Sequence, residues 1–277
     1  MATEGAVGVP TDVVIPVYAH LAWTRACIES VLAHSGPALG RVILVNDCGP
    51  ERDILPMLRE LRLRDSRVRL LENERNRGFV SSANRGLSLC PGDAVLLNSD
   101  ARVTPGWLDG LREVANADPQ IAAITPLSNN GCWCSVPTFQ GAVPAADLEP
   151  LRIDLSGLPL YTEMPTGVGF CLWMRGEAMQ RIGLLDPKYG PGYQEENDWC
   201  QRARGAGYRV VRANRVFVYH EGEASFGGAR RVLDLINLRR LVRRYPSFLE
   251  EIYAFERSVE ARAAAEYVAR QLRTEPT

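Results

Sequence analysis

Several absences narrow what this chain can do. No Gly-x-Gly-x-x-Gly follows the first strand-like run, so the dinucleotide fingerprint is missing. No Gly-Lys-Ser or Gly-Lys-Thr occurs, so no P-loop cradles phosphates with its backbone amides. Any phosphate bound here therefore needs a divalent cation to neutralise it. No Cys-x-x-Cys occurs either. The seven cysteines are odd in number and mostly scattered, which fits reduced thiols better than a disulfide framework or a zinc site. Charge of one sign is also lacking: 32 Lys and Arg face 33 Asp and Glu, for a net charge of −1. No global field attracts nucleic acid, and no nucleic-acid partner is expected. No segment approaches the ~20 apolar residues that span a bilayer. Residues 1–10 lack the basic start and apolar core of a signal peptide and read as a disordered lead-in. These features point to a cytoplasmic protein.

What is present is enough for one large core: 46% of the 277 residues are hydrophobic. Short apolar runs at 12–17, 41–45, 68–71 and 94–97 alternate with helical patterns over 21–32, 51–63 and 79–89. That alternation predicts an α/β fold with a parallel sheet and crossover helices. A further strand is expected at 121–124. Residues 127–163 are proline-bearing and aperiodic, the kind of long loop that is functional or mobile. Gly167–Met174 reads as a strand, 175–182 as a helix, and Gln194–Trp199 as the acidic opening of another helix. Arg215–Tyr219 is a strand that stops at His220. Residues 229–271 read as two helices broken at Tyr245-Pro246-Ser247.

Polar residues follow three of the strands: Tyr18 to His20, Asn46-Asp47, and Asn98-Ser99-Asp100. In a parallel sheet these ends share one edge, and ligands bind in the crevice beyond it. Asp100 suits Mg²⁺ or Mn²⁺; its competing use, as a helix cap near Pro105, is better filled by Thr104. Asp47 reads two ways, as a contact to a base or ribose and as an Asx-turn in Asn46-Asp47-Cys48-Gly49-Pro50. Glu195, Glu196 and Asp198 crowd three acids into four residues, which favours a carboxyl of raised pKa that can act as a base. Trp133, in the polar run 128–134, is either a platform for a sugar ring or an anchor for the long loop. The glycines between 222 and 228 read as a flap or a plain connector.

These residues stand in a recognisable order. Pro16-Val17-Tyr18, Asn46-Asp47, Asn73 to Gly78-Phe79, Ala83-Asn84-Arg85-Gly86, Asn98-Ser99-Asp100 with Pro105-Gly106-Trp107-Leu108, and Glu195–Arg202 with Gly207-Tyr208 resemble family two glycosyltransferases of the GT-A fold. The rhamnosyltransferase-like and galactofuranosyltransferase-like branches are the most similar. The resemblance covers roughly residues 11–226. It implies a nucleotide-sugar half over 11–110, an acceptor half over 111–226 and a helical extension over 227–277. It also implies that Pro16, Val17, Tyr18, Asp47, Arg77, Asn84, Asn98, Ser99 and Asp100 line the donor, and that Asp100 and His220 hold Mn²⁺ or Mg²⁺. Asn98 stands where the family's Asp-x-Asp element begins, leaving one carboxylate for the metal. Glu196 falls on the position of the catalytic base, with Trp133, Glu195, Asp198 and Trp199 on the acceptor side.

The activity implied is inverting, metal-dependent transfer of a sugar from a nucleoside diphosphate to a hydroxyl of a glycan, lipid-linked or small-molecule acceptor. Asp47 can accept an imide N–H, which favours UDP or dTDP. Two rivals remain, a non-catalytic nucleotide-sugar or glycan-binding module and a nucleotidyltransferase, the latter disfavoured by the missing Gly-rich phosphate loop. In the helical extension, Leu and Val interleave with Arg239, Arg240, Arg243 and Arg244. That pattern packs on the domain or on a second copy as a homodimer, or lies at the inner face of a membrane as a peripheral helix.

Overall fold

The computed structural model describes residues 9–137, 154–222 and 228–274. The expected disorder of 1–10 and most of the glycine-bearing segment 222–228 lie outside them. The first half of the chain is a run of βα units: β1 (Thr11–Val17), α1 (Leu21–His34), β2 (Leu39–Asn46), α2 (Ile54–Arg64), β3 (Val68–Glu72), α3 (Phe79–Leu87) and β4 (Ala94–Leu97). Then come β5 (Ala101–Val103), α4 (Trp107–Ala117), β6 (Ile121–Leu127), β7 (Tyr161–Glu163), β8 (Cys171–Met174), α5 (Gly176–Ile182), α6 (Glu195–Gly205) and β9 (Arg209–His220). Three helices close the chain: α7 (Gly228–Arg244), α8 (Phe248–Arg257) and α9 (Val259–Thr274).

All nine strands join one sheet in the order β3-β2-β1-β4-β8-β6-β9-β5, with β7 on β9. The first four are parallel. β8 runs antiparallel between β4 and β6, while β6 and β9 are parallel. This is the mixed α/β architecture of a GT-A fold. The central strands read as unbroken apolar runs because helices cover both faces: β1, β4, β6 and β8 are buried throughout. One core packs α1, α2 and α4 on one face. A second packs α3, α5, α6, α7 and α8 on the other. No described helix is long and apolar enough to cross a membrane.

Three local expectations are revised. The helix after Asp100 begins at Trp107, behind Gly106 in the left-handed region, because the Thr104 hydroxyl donates to the Phe217 carbonyl at 2.7 Å instead of capping it. β9 is twelve residues long rather than five. The C-terminal segment is three helices, since Ser258 is extended and breaks the second. α9 packs Ala264 and Val268 against Leu127, Leu155, Leu158 and Phe217 in a small third core. It is fastened there by Arg212, a buried β9 side chain. Arg212 donates to Asn214 Oδ1 and to the carbonyls of Trp133, Glu260 and Ala261.

Candidate active site

The carboxyl ends of β1, β2 and β4 open on the same edge, and the loops after them are fastened to one another. Glu51, at the start of the turn into α2, accepts the backbone amides of His20 and Leu21 and so caps α1 from a neighbouring loop. A Cβ on Gly49 would overlap the Tyr18 carbonyl oxygen, so only glycine lets the two loops close. Pro16 and Val17 are buried, and Tyr18 is exposed at the opening. Asp47 is buried at the end of β2. Its Oδ1 accepts from Asn73 Nδ2 (2.7 Å) and the Arg77 amide (2.8 Å), and its Oδ2 from the Gly78 amide (2.9 Å). The carboxylate therefore folds the 73–78 loop across the edge and keeps Arg77, an exposed cation, beside it. Asn84 instead grips Leu185 in both directions (2.8 and 3.0 Å), tying α3 to the loop before α6.

Asp100 and His220 are 120 positions apart and adjacent in space. The cause is β5, whose three residues pair antiparallel with the end of β9, Ala101 opposite His220. His220 Nε2 lies 3.4 Å from Asp100 Oδ1. Its other nitrogen, Nδ1, is 2.6 Å from the Asn130 carbonyl. A carbonyl can only accept, so Nδ1 carries a proton; the imidazolium also donates from Nε2 to Asp100, and loss of that second proton frees the Nε2 lone pair for a cation. Asn129 bonds the His220 backbone at both N and O, and Phe170 stacks on the ring at 5.0 Å. Burial opposes the charge on each partner, but their mutual hydrogen bond and attraction outweigh it. The Asp100 carboxyl is held below its ordinary value and the imidazole above its own. A separation of 3.4 Å is close to the roughly 3 Å between adjacent ligands on an octahedral ion, so the pair fits two positions of a divalent cation. Among the described residues no group of three or more His, Cys, Asp or Glu side chains is arranged to hold a metal.

The segment before β8 joins this pair to Glu196. Phe170 touches His220, while a Cβ on its neighbour Gly169 would meet Glu196 Cδ at 3.4 Å. Glu196 is half-buried in the first turn of α6. Burial pushes its carboxyl up to about 7 against the pull of backbone amides, and the charge of Asp234 adds to the rise. Glu195 is buried, with Oε2 unpartnered among the described residues. Burial and the neighbouring Glu196 drive its carboxyl well above the usual range. The turn that presents these two acids is unusual. Gly190, Gly192, Tyr193 and Gln194 all have positive φ, Tyr193 and Gln194 both at 72°. Asn237 of α7 holds the turn by donating to the carbonyls of Tyr189, Gly192 and Tyr193, and Asp234 accepts from Gln194.

The other acids and aromatics of this stretch do not reach the opening. Asp198 and Trp199 are wholly buried. Asp198 accepts from Arg202 Nε, Arg244 Nη1 and the Tyr189 hydroxyl, and Trp199 donates to the Gly183 carbonyl. They fix α6 against α5 and α7. Trp133 packs partly buried against the second core, its Nε1 unpartnered among the described residues. Cys132 beside it feels, after desolvation, the charges of Glu196, Glu256 and Asp234, which puts this turn near Glu196. Asn98 and Ser99 are half-buried where β4 ends, with Asn98 N bonded to the Phe170 carbonyl. Asn129 and Asn130, which orient His220, are not evident as site residues in the sequence. The turn-rich run Ser128-Asn129-Asn130-Gly131 is their only signal.

Known proteins are similar to this chain in fold and in sequence. Two solved structures share the fold. One is GalNAc-T7 with UDP, GalNAc and Mn²⁺ (TM-score 0.67, 17% identity, 95% of this chain and 55% of that one). The other is the mannosyltransferase PcManGT of Pyrobaculum calidifontis with GDP-Man and Mn²⁺ (TM-score 0.63, 16% identity, 95% and 74%). An uncharacterized protein of Sinorhizobium fredii, y4gI, is 25% identical over 238 residues, 78% of this chain and 25% of its own length. The chain thus spans about a quarter of that relative. The family model of glycosyl transferase family 2 matches residues 12–183, which takes in the β1–β4 edge and Asp100 and stops short of Glu196 and His220. That match covers more than half of the sequence, and the chain belongs to glycosyl transferase family 2.

Proposed function

We propose that this glycosyltransferase moves a sugar from a nucleoside diphosphate to an acceptor hydroxyl by a single in-line displacement, with inversion at the anomeric carbon. The observation that carries the reading is the joining of Glu196 to the Asp100–His220 pair through Gly169 and Phe170. Mn²⁺ or Mg²⁺ is the cofactor of this reading, and Asp100 and His220 would hold it. Bound there, it supplies charge neutralisation for the departing diphosphate. The missing P-loop and the Asn98 replacement leave few other groups for that task.

The remaining chemistry belongs to the side chains. Glu196 takes the proton of the acceptor hydroxyl as oxygen bonds to the anomeric carbon, while the bond from that carbon to the diphosphate breaks and its electron pair leaves with the phosphate. A carboxyl raised to about 7 is matched to this work near neutral pH. No enzyme nucleophile is needed. Asp47 Oδ2 accepts one hydrogen bond from the protein and keeps a lone pair for an imide N–H, which favours UDP or dTDP. The acceptor side is assigned to the space beside Glu196, toward the turn that carries Cys132 and Trp133, where the Cys132 thiol feels the charge of Glu196. The acceptor is a glycan, a lipid-linked sugar or a small molecule.

Incubation with candidate UDP- and dTDP-sugars, Mn²⁺ and acceptors, followed by NMR of the product's anomeric proton, tests the reading. Product of inverted configuration is expected, with none from Glu196→Gln although that variant still binds donor. Tight donor binding with no transfer to any acceptor in the parent would instead favour a binding module.

A further inference from the structure

α7 presents two faces. Asn237 and Leu241 are buried against the domain, but Val232, Leu235 and Ile236 are 57, 56 and 50% exposed. At 100° per residue, Val232, Ile236, Arg239 and Arg243 fall within an arc of about 60° on the outer face, with Leu235 and Arg240 at its borders. Among the described residues, Arg231, Arg239 and Arg243 make no ion pair, although Arg59, Arg67 and Arg209 elsewhere on the surface all do. The outer face is thus apolar at its beginning and cationic at its end.

The cationic end borders a recess of about 360 Å³ lined by Asp186, Lys188, Tyr189, Arg240 and Arg244. Lys188 Nζ pairs with no carboxylate among the described residues. Arg240 is anchored through Nη1 alone, to the Lys188 carbonyl and Asn237 Oδ1. Arg244 is likewise anchored through Nη1, to Asp198 and Asp186. Each guanidinium keeps Nε and Nη2 unbonded among the described residues. Three cations line the recess with Asp186, and the Asp198 carboxylate behind Arg244 is shared with Arg202, so the recess stays cationic and suits phosphate oxygens.

We infer that the outer face of α7 docks on an anionic phospholipid surface, with a lipid phosphate in the Lys188–Arg240–Arg244 recess. Ile236 and Arg240 are about one turn apart, roughly 6 Å along the axis. With Val232 and Ile236 at the acyl boundary, the long stems of Arg239, Arg240 and Arg243 carry their guanidinium groups out to the headgroups. A second copy of the chain fits this face poorly: a parallel two-fold contact would oppose arginine to arginine, and an antiparallel one would cover Arg239 and Arg243 with Val232 and Leu235 and offer them no carboxylate. The same helix holds the turn that presents Glu195 and Glu196, so docking places the acceptor side near lipid. The inference does not depend on which sugar is transferred.

The test uses the full chain, sedimented with vesicles of phosphatidylcholine alone and of phosphatidylcholine with phosphatidylglycerol at about 2:1. Binding to the anionic vesicles only, weakened by salt, is expected. Arg239→Gln with Arg243→Gln should lower that affinity about thirty-fold, at roughly five-fold per basic residue. Leu235→Ser with Ile236→Ser should lower it at least ten-fold; these side chains are exposed, and unchanged thermal melting verifies the fold. Inorganic phosphate separates the two sources of the anion. If phosphate raises the melting temperature of the parent but not of Lys188→Ala, and the chain ignores anionic vesicles, the recess takes a free anion and the inference is overturned. It is equally overturned if both double variants bind vesicles as the parent does, or if the chain is a dimer that either of them dissociates.

Discussion

Replacing Glu196 by Gln should stabilise the protein above neutral pH while it removes transfer. In the unfolded chain a glutamate gives up its proton near 4.5; in the fold Glu196 keeps it to about 7. Between those values the native state binds the extra proton, so stability falls as pH rises and the loss is complete above 7. The interval corresponds to about 3 kcal/mol at about pH 8. For a chain of this size that is a melting shift of several degrees, on the order of 2–4 °C per kcal/mol. Gln is uncharged at every pH and of nearly the same shape. The parent and Glu196→Gln should therefore melt together at about pH 5 and separate, variant higher, at about pH 8. Differential scanning calorimetry at the two pH values reads this directly. An equal difference at both, or a variant less stable at the higher pH, refutes the assignment of the raised carboxyl to Glu196. The same titration predicts that transfer by the parent rises with pH through about 7.

Three further outcomes follow from named contacts. His220→Ala and Asp100→Ala should each abolish the Mn²⁺-dependent part of the melting shift given by UDP; a shift of parental size in either removes that residue from the metal. Arg212→Met leaves Asn214 Oδ1 and three carbonyls without their donor and should cost about 3 kcal/mol in urea unfolding, a loss below about 1 kcal/mol showing that water replaces the guanidinium. Gly78→Ala strains a residue at φ 81° and sets a Cβ 2.8 Å from Pro191 Cα; it should cost about 2 kcal/mol and weaken donor binding, and parental calorimetry would show that the 190–192 turn yields freely.

The first half of the chain was legible because its strands are continuous apolar runs and its polar residues sit where those runs stop. Asp100 and Asp47 could be picked out for that reason alone. His220 was visible as the residue that stops a strand, but its meeting with Asp100 depends on β5, three residues too short to show a period. Asn129 and Asn130 act through a backbone carbonyl and a side-chain clamp, and any turn rich in asparagine looks the same. Asp198 and Trp199 show the opposite error. Acids at the start of a helix look solvated in a one-dimensional pattern, yet Arg202, Arg244 and Tyr189 wait inside to satisfy Asp198. Two of those three partners come from outside the helix and were invisible from its sequence. The outer face of α7 was ambiguous for a similar reason, since interleaved Leu and Arg do not say which side the domain occupies.

The run of positive φ angles from Gly190 to Gln194 has a consequence for what counts as the enzyme. Tyr193 and Gln194 occupy a conformation that costs non-glycine residues on the order of 1–2 kcal/mol each, and the turn does not choose it unaided. Asn237 and Asp234, two residues of α7, hold it there from outside. Glu196, the proposed base, is thus aimed by a turn whose bracing hydrogen bonds come from a helix beyond β9. A graft or truncation that ends with β9 would inherit every side chain assigned to the chemistry and lose the brace that aims one of them.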